Sequence, residues 1–128
     1  MIPMKKILRR IIVFCLLMQL LITFPVKAFA ESEEAIFAGG CFWCLEHDLE
    51  KLDGVVSAVS GYSGGDILNP TYENHSGHQE VVKVSFNSEL ISYKDLLENY
   101  WINIDPFDNK GQFCDRGKSY KPIIFTSN

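Results

Sequence analysis

The sequence predicts an α+β domain with a ferredoxin-like βαββαβ core, its helices on one face of a mainly antiparallel sheet. Three observations predict it. Two stretches repeat apolar residues at helical spacing. Four short stretches are continuously apolar or alternate with the period of a strand. Glycine, serine and Asn-Pro punctuation separates them in the order strand, helix, strand, strand, helix, strand.

Residues Ala35 to Gly39 (AIFAG) read as a short buried strand, broken by Gly39-Gly40. From Phe42 to Leu52 a helix is expected, because Phe42, Leu45, Leu49 and Leu52 fall on one stripe; Gly54 ends it. Val55 to Tyr62 is valine-rich and reads as the second strand. Ser63-Gly64-Gly65 and Asn69-Pro70 mark a loop that lasts to about Gly77. Gln79 to Phe86 alternates and reads as the third strand. Ser92 with Asp95 signals a helix start, and Tyr93, Leu96, Leu97, Tyr100, Trp101 and Ile104 follow on one face. A long loop, Asp105 to Ser119, leads to a last strand over Lys121 to Thr126.

The chain's 128 residues suit one domain, and residues 1–30 stand outside it. Lys5, Lys6, Arg9 and Arg10 form a basic head. An apolar run from Ile11 to Phe24 is broken only by Gln19 and Thr23, and Ala28-Phe29-Ala30 offers a cleavage site. This is the secretory signal pattern, and it implies an exported protein, periplasmic or secreted, beginning after Ala30. The competing reading is an uncleaved anchor, for which the run is short against the ~20 residues of a membrane span. Cys15 lies inside the run and does not read as a lipid-attachment site. Five of the 12 basic residues and none of the 16 acidic ones lie in this segment, so residues 31–128 carry a formal net charge of −9. Such a surface disfavours nucleic acid and anionic membrane as partners. The membrane is met only through residues 1–30, and the domain is expected to be a monomer.

Three cysteines remain in the domain: Cys41, Cys44 and Cys114. An odd count in an exported chain leaves at least one thiol unpaired or reactive. Cys41 follows Gly39-Gly40 at the strand-to-helix junction, where helix amides stabilise an anion. A cysteine so placed can have its pKa lowered from about 8.5, and the thiolate is the nucleophile. A buried inert cysteine is the alternative. Cys44 stands at C-x-x-C spacing, open to three readings: a thioredoxin-like redox pair, half a zinc site, or a resolving thiol. Zinc would need about four ligands, with only Cys114, His47, His75 and His78 to complete them and no second C-x-x-C. His47, six residues beyond Cys41, lies off the same helix face and reads as a solvated surface residue; His78 reads as structural or solvated.

Glu80 shares a strand face with Val82, Val84 and Phe86, opposite Gln79, Val81, Lys83 and Ser85. At the end of a buried row its carboxyl would resist ionisation and serve as a general acid; at a frayed strand edge it would sit in water. The pattern leaves both open. Phe42 and Trp43 are core anchors or, beside a nucleophile, an apolar cage for a small methyl group. Tyr62 and Tyr120 each follow a strand or loop end, where a phenol can donate a hydrogen bond. Asp115 can cap or orient a neighbour.

GGCFWCLE (Gly39–Glu46), SGYSGG (Ser60–Gly65), NPTY (Asn69–Tyr72), GHQEVV (Gly77–Val82), NIDPFD (Asn103–Asp108) and QFCDRGKSY (Gln112–Tyr120) together resemble peptide methionine sulfoxide reductase A. The six motifs stand in the family's order, from about Ala35 to Phe125. The resemblance implies a two-layer α/β sandwich around the ferredoxin-like core and reduction of the S epimer of methionine sulfoxide, free or in proteins. At matching positions it implies Cys41 as nucleophile, Phe42 and Trp43 as the cage, and Glu80 as proton donor. Tyr62 and Tyr120 would hydrogen-bond the sulfoxide oxygen, and Asp115 would help position the substrate. No prosthetic cofactor or metal is implied; a thioredoxin-type reductant recycles the thiols. Family members usually continue well past Phe125, often with a C-terminal resolving cysteine, so a missing C-terminal part is expected and resolution falls to Cys44, Cys114 or an external thiol. The loop Tyr72–His78 is shorter than is common. Two other readings remain: a C-x-x-C thiol–disulfide oxidoreductase, and an inactive truncated remnant.

Overall fold

The computed structural model describes residues 32–126, together with residues 3, 4 and 14. The signal segment therefore lies almost wholly outside the described residues. Among these, four strands form one sheet: β1 (Ser32–Ala38), β2 (Val55–Ser63), β3 (Gln79–Asn87) and β6 (Ile123–Phe125). Helix α1 (Phe42–Leu49) follows β1 and helix α2 (Tyr93–Ile102) follows β3. The sheet order is β2-β3-β1-β6, and every pairing is antiparallel. This is the ferredoxin-like arrangement: each β-α-β crossover skips one position, so the first and third main strands lie side by side.

Register explains which residues share the helix-covered face. Phe37 opposes Val82, Ala35 opposes Val84, and Ala58 of β2 opposes Val84 from the other side. Opposed residues project the same way. Phe42, Leu45 and Leu49 of α1 and Leu96 and Tyr100 of α2 close over this row, with Ile91 and Ile104 at its margins. Burying side chains of this size stabilises by roughly 1.5–3 kcal/mol each, and the Phe37 ring adds a stacked contact to Tyr100 at 5.2 Å. The opposite face carries exposed Val59 and an exposed Lys83–Glu34 ion pair. One sheet and one helical layer make the two-layer sandwich.

Element boundaries differ from the expectations in instructive ways. β1 starts at Ser32, not Ala35, because its polar head pairs with Ser85, Phe86 and Asn87 of β3. α1 stops at Leu49, three residues short of Leu52; the chain then turns to Gly54 at φ +99, and Leu52 packs on the core from outside the helix. α2 stops at Ile102, yet Ile104 is buried beyond its end. Its start carries the full capping box, with Ser92 Oγ accepting from the Asp95 amide and Asp95 accepting from the Ser92 amide. The last strand is Ile123–Phe125, shorter than Lys121–Thr126. The loop Asp105–Ser119 holds a hairpin, β4 (Gly111–Gln112) with β5 (Asp115–Arg116), and a 3₁₀ turn (Lys118–Tyr120) follows it.

Candidate active site

The site forms where β1 hands over to α1. The Tyr100 hydroxyl, fully buried, donates to the Ala38 carbonyl at 2.7 Å and fixes the end of β1. Burial pushes its pKa up to about 12, against a pull from the Ile123 backbone. Gly40 then turns the chain at φ +92, its α-carbon pressed against Gln112; a Cβ there would lie 2.7 Å from the Gln112 Cβ. Gln112 is itself buried, donating to the Asp105 and Gly111 carbonyls and accepting from the Asp105 amide. The Gly-Gly turn thus locks the helix start to the β4–β5 hairpin.

Cys41 caps α1, its carbonyl accepting from the amides of Cys44 and Leu45 at 3.1 and 3.2 Å. The thiol is partly exposed, and Cys44 and Cys114 are exposed and free. All three cysteines and Asp115 line one groove of about 390 Å³. A hydrogen bond with Cys41 raises the Cys44 pKa, with smaller upward pushes from burial and from the charges of Cys41, Asp115 and Asp48. The β4–β5 hairpin, inside the stretch expected to be a loop, delivers Cys114 and Asp115 to this groove.

Glu80 settles on the buried side of the two readings: it is 2% exposed. One carboxylate oxygen, Oε2, accepts from the Phe42 amide at 3.2 Å; the other, Oε1, is buried with no partner. Burial raises its pKa above the ordinary carboxylate value. The Phe42 amide, His75 and the Tyr120 phenol oppose this, while Asp115 adds to it. Tyr62 stands directly across from Glu80 in the β2–β3 register, and its buried hydroxyl is also unpartnered. Burial raises the Tyr62 and Tyr120 pKa values, and the nearby Glu80 charge raises both further. Among the described residues five buried side-chain polar atoms lack a partner: Ser60 Oγ, Tyr62 Oη, His78 Nδ1, Gln79 Oε1 and Glu80 Oε1. Two of them belong to the directly opposed pair Tyr62–Glu80, which makes that pair a place for a polar ligand atom.

Aromatic rings wall the site. Phe42 lies 5.0 Å from Trp43 and 5.5 Å from Tyr62, ring centre to centre. Trp43 is 58% exposed and stacks on Tyr72 at 5.3 Å. Tyr62 stacks on His75 at 4.8 Å. Tyr72 and His75 were missed by sequence reading. The only signal was the NPTY motif, whose tyrosine sits in a loop with no periodicity to assign it a face. His47 lies away from the site, exposed beside Glu50. His78 is structural: it is buried, and its Nε2 donates to the Ile67 carbonyl at 3.1 Å. Among the described residues no group of three or more His, Cys, Asp or Glu is placed to hold a metal ion.

Fold and site together define an α+β protein with a thiol capping a helix whose first amide is held by a buried carboxyl, beside an aromatic wall. Residues 33–128 match the family described as peptide methionine sulfoxide reductase. A peptide methionine sulfoxide reductase MsrA 2 from Caulobacter vibrioides is 48% identical over 109 residues, covering 82% of this chain and 56% of its own length. A peptide methionine sulfoxide reductase MsrA from Streptococcus agalactiae is 54% identical over 100 residues, 75% of this chain and 59% of its own. The solved methionine sulfoxide reductase A of Corynebacterium diphtheriae superposes with a TM-score of 0.73 at 26% identity, over 80% of this chain and 50% of that one. This chain belongs to the peptide methionine sulfoxide reductase family. It spans less than two thirds of the length of these relatives.

Proposed function

We propose that the chain reduces the S epimer of methionine sulfoxide, free or in proteins, to methionine. One observation carries this reading: two of the unpartnered buried polar atoms, Tyr62 Oη and Glu80 Oε1, belong to residues directly opposed on the strand pair under the helix that Cys41 caps. A sulfoxide oxygen satisfies both if Glu80 is protonated, and the raised Glu80 pKa favours that state. Phe42, Trp43 and Tyr72 then enclose the S-methyl group, Tyr120 adds a second phenol, and Asp115 steadies the substrate from the groove.

In the chemical step the Cys41 thiolate takes up the sulfoxide oxygen as Glu80 supplies a proton. The substrate sulfur is reduced to the thioether, and Cys41 is oxidised to the sulfenic acid. The Cys44 thiol then condenses with that sulfenic acid, forming an S–S bond and releasing water. Cys44 follows Cys41 at C-x-x-C spacing on the same helix, with Cys114 in the same groove as the other resolving candidate. A thioredoxin-type dithiol reduces the disulfide. The electrons come from thiols throughout, so the scheme uses no prosthetic group. The protein acts as a monomer outside the cytoplasm after loss of residues 1–30, a reading that rests on the signal pattern.

Incubation with dithiol and separate sulfoxide epimers tests the function. Methionine should form from the S epimer and not the R epimer, and Cys41→Ser should abolish it. Insulin reduction without sulfoxide reduction would favour the C-x-x-C oxidoreductase instead; neither activity would favour an inactive remnant.

A further inference from the structure

We propose that Glu46 is a positioning residue, holding the start of α1 in register with the strand that presents Tyr62. The role rests on the proposed functional reading. Glu46 is half-buried on α1, and its Oε2 accepts from the Ser60 amide at 2.7 Å across 14 residues of sequence. β2 is the outer strand of its sheet, next to β3 alone, so the amides on its far side have no strand to donate to. Glu46 takes one of them.

The site of that bond matters. Ser60 opposes Val82 and Tyr62 opposes Glu80, two residues along both strands. An amide that donates to Glu46 is not donating to β3, which makes Ser60–Val82 a non-hydrogen-bonded pair. By the alternation of antiparallel ladders, Tyr62–Glu80 is another, the type in which opposing side chains come closest. Two carboxylates therefore clamp α1. Glu80 reaches from β3 to the Phe42 amide at the helix start, and Glu46 reaches from the helix to β2.

Beyond the Gly-Gly turn packed on Gln112, α1 is held by apolar packing of Phe42, Leu45 and Leu49, which is strong but non-directional. A helix of eight residues is too short to be stable alone, so its placement comes from such contacts. A charged acceptor on a backbone amide is short and directional. It sets where Cys41 stands relative to the Tyr62 hydroxyl.

The test uses the full chain with Glu46→Ala, Glu46→Gln and, as a control on the same helix, Glu50→Ala. Amide exchange at Ser60 and single-turnover methionine release are both measured, with sulfoxide KM followed alongside. Glu46→Ala should speed Ser60 exchange and slow release by ~10-fold or more, because small misplacements of reacting groups are costly, with KM little changed. Glu46→Gln keeps an acceptor oxygen and should restore both to within about threefold, while Glu50→Ala matches wild type. If Glu46→Ala does not fold, Glu46→Asp replaces it, retaining charge but losing reach. Unchanged Ser60 exchange in the shortened variant, faster exchange with an unchanged release rate, or a Gln variant as slow as Ala would each overturn the role. A wild-type chain that releases no methionine while Glu46 still protects Ser60 would instead overturn the functional reading and, with it, the role.

Discussion

The role proposed for Glu80 is set against stability. Its carboxyl is buried beside an aromatic wall, and one oxygen is left without a partner. Its pKa is raised in the fold, so the folded chain keeps a proton that the unfolded chain has lost. Stability then falls as pH rises from the unfolded carboxylate value of about 4.3 through the folded one. Glu80→Gln removes the titration and keeps an oxygen for the Phe42 amide. Its denaturant midpoint relative to wild type should therefore be higher at pH 7.5 than at pH 4. An equal difference at both pH values would mean that the carboxyl titrates alike in the two states.

At the element scale, the strand-to-helix junction is a fixed joint. Gly40 adopts φ +92 against the Gln112 side chain, and Gln112 anchors the hairpin that carries Cys114 and Asp115. Gly40→Ala adds backbone strain and a steric conflict at once, and should destabilise by about 1–3 kcal/mol. A lowered midpoint with an unchanged slope of the urea transition would match; an unchanged midpoint would show that the hairpin yields.

The same joint explains what the sequence made legible. Helix and strand periods survive wherever one face is buried, so both helices, the three main strands and the apolar row of Val82, Val84 and Phe86 are legible in the sequence, whereas the burial of Glu80 at the end of that row is left open by the pattern. The β4–β5 hairpin could not, since strands of two residues carry no period. Tyr72 and His75 were hidden for a related reason. They come from a loop, and only the stacking on Trp43 and Tyr62 brings them to the site. The bond from Glu46 to Ser60 depends on β2 being an outer strand, and strand order does not show in local pattern.

At the scale of the whole molecule, a small acidic domain gathers its chemistry at one end of a single sheet. Every residue in the proposed scheme lies from Cys41 to Tyr120, within the residues 33–128 that match the family. Removal of residues 1–30 leaves the net charge of −9. N-terminal sequencing of protein from the native cell should begin at Glu31; an intact Met1 terminus in a soluble cytoplasmic fraction would contradict export.

In the proposed reaction a buried, protonated carboxyl delivers the proton to the departing sulfoxide oxygen. The most direct measurement is single-turnover methionine release at pH 7 by Glu80→Gln against wild type. Gln fills the same space and can donate a hydrogen bond, but it has no acidic proton to transfer. Substrate binding should stay near normal while the chemical step slows by ~10²–10⁴-fold, as for loss of a positioned general acid, with partial recovery at lower pH. An unchanged single-turnover rate would contradict it.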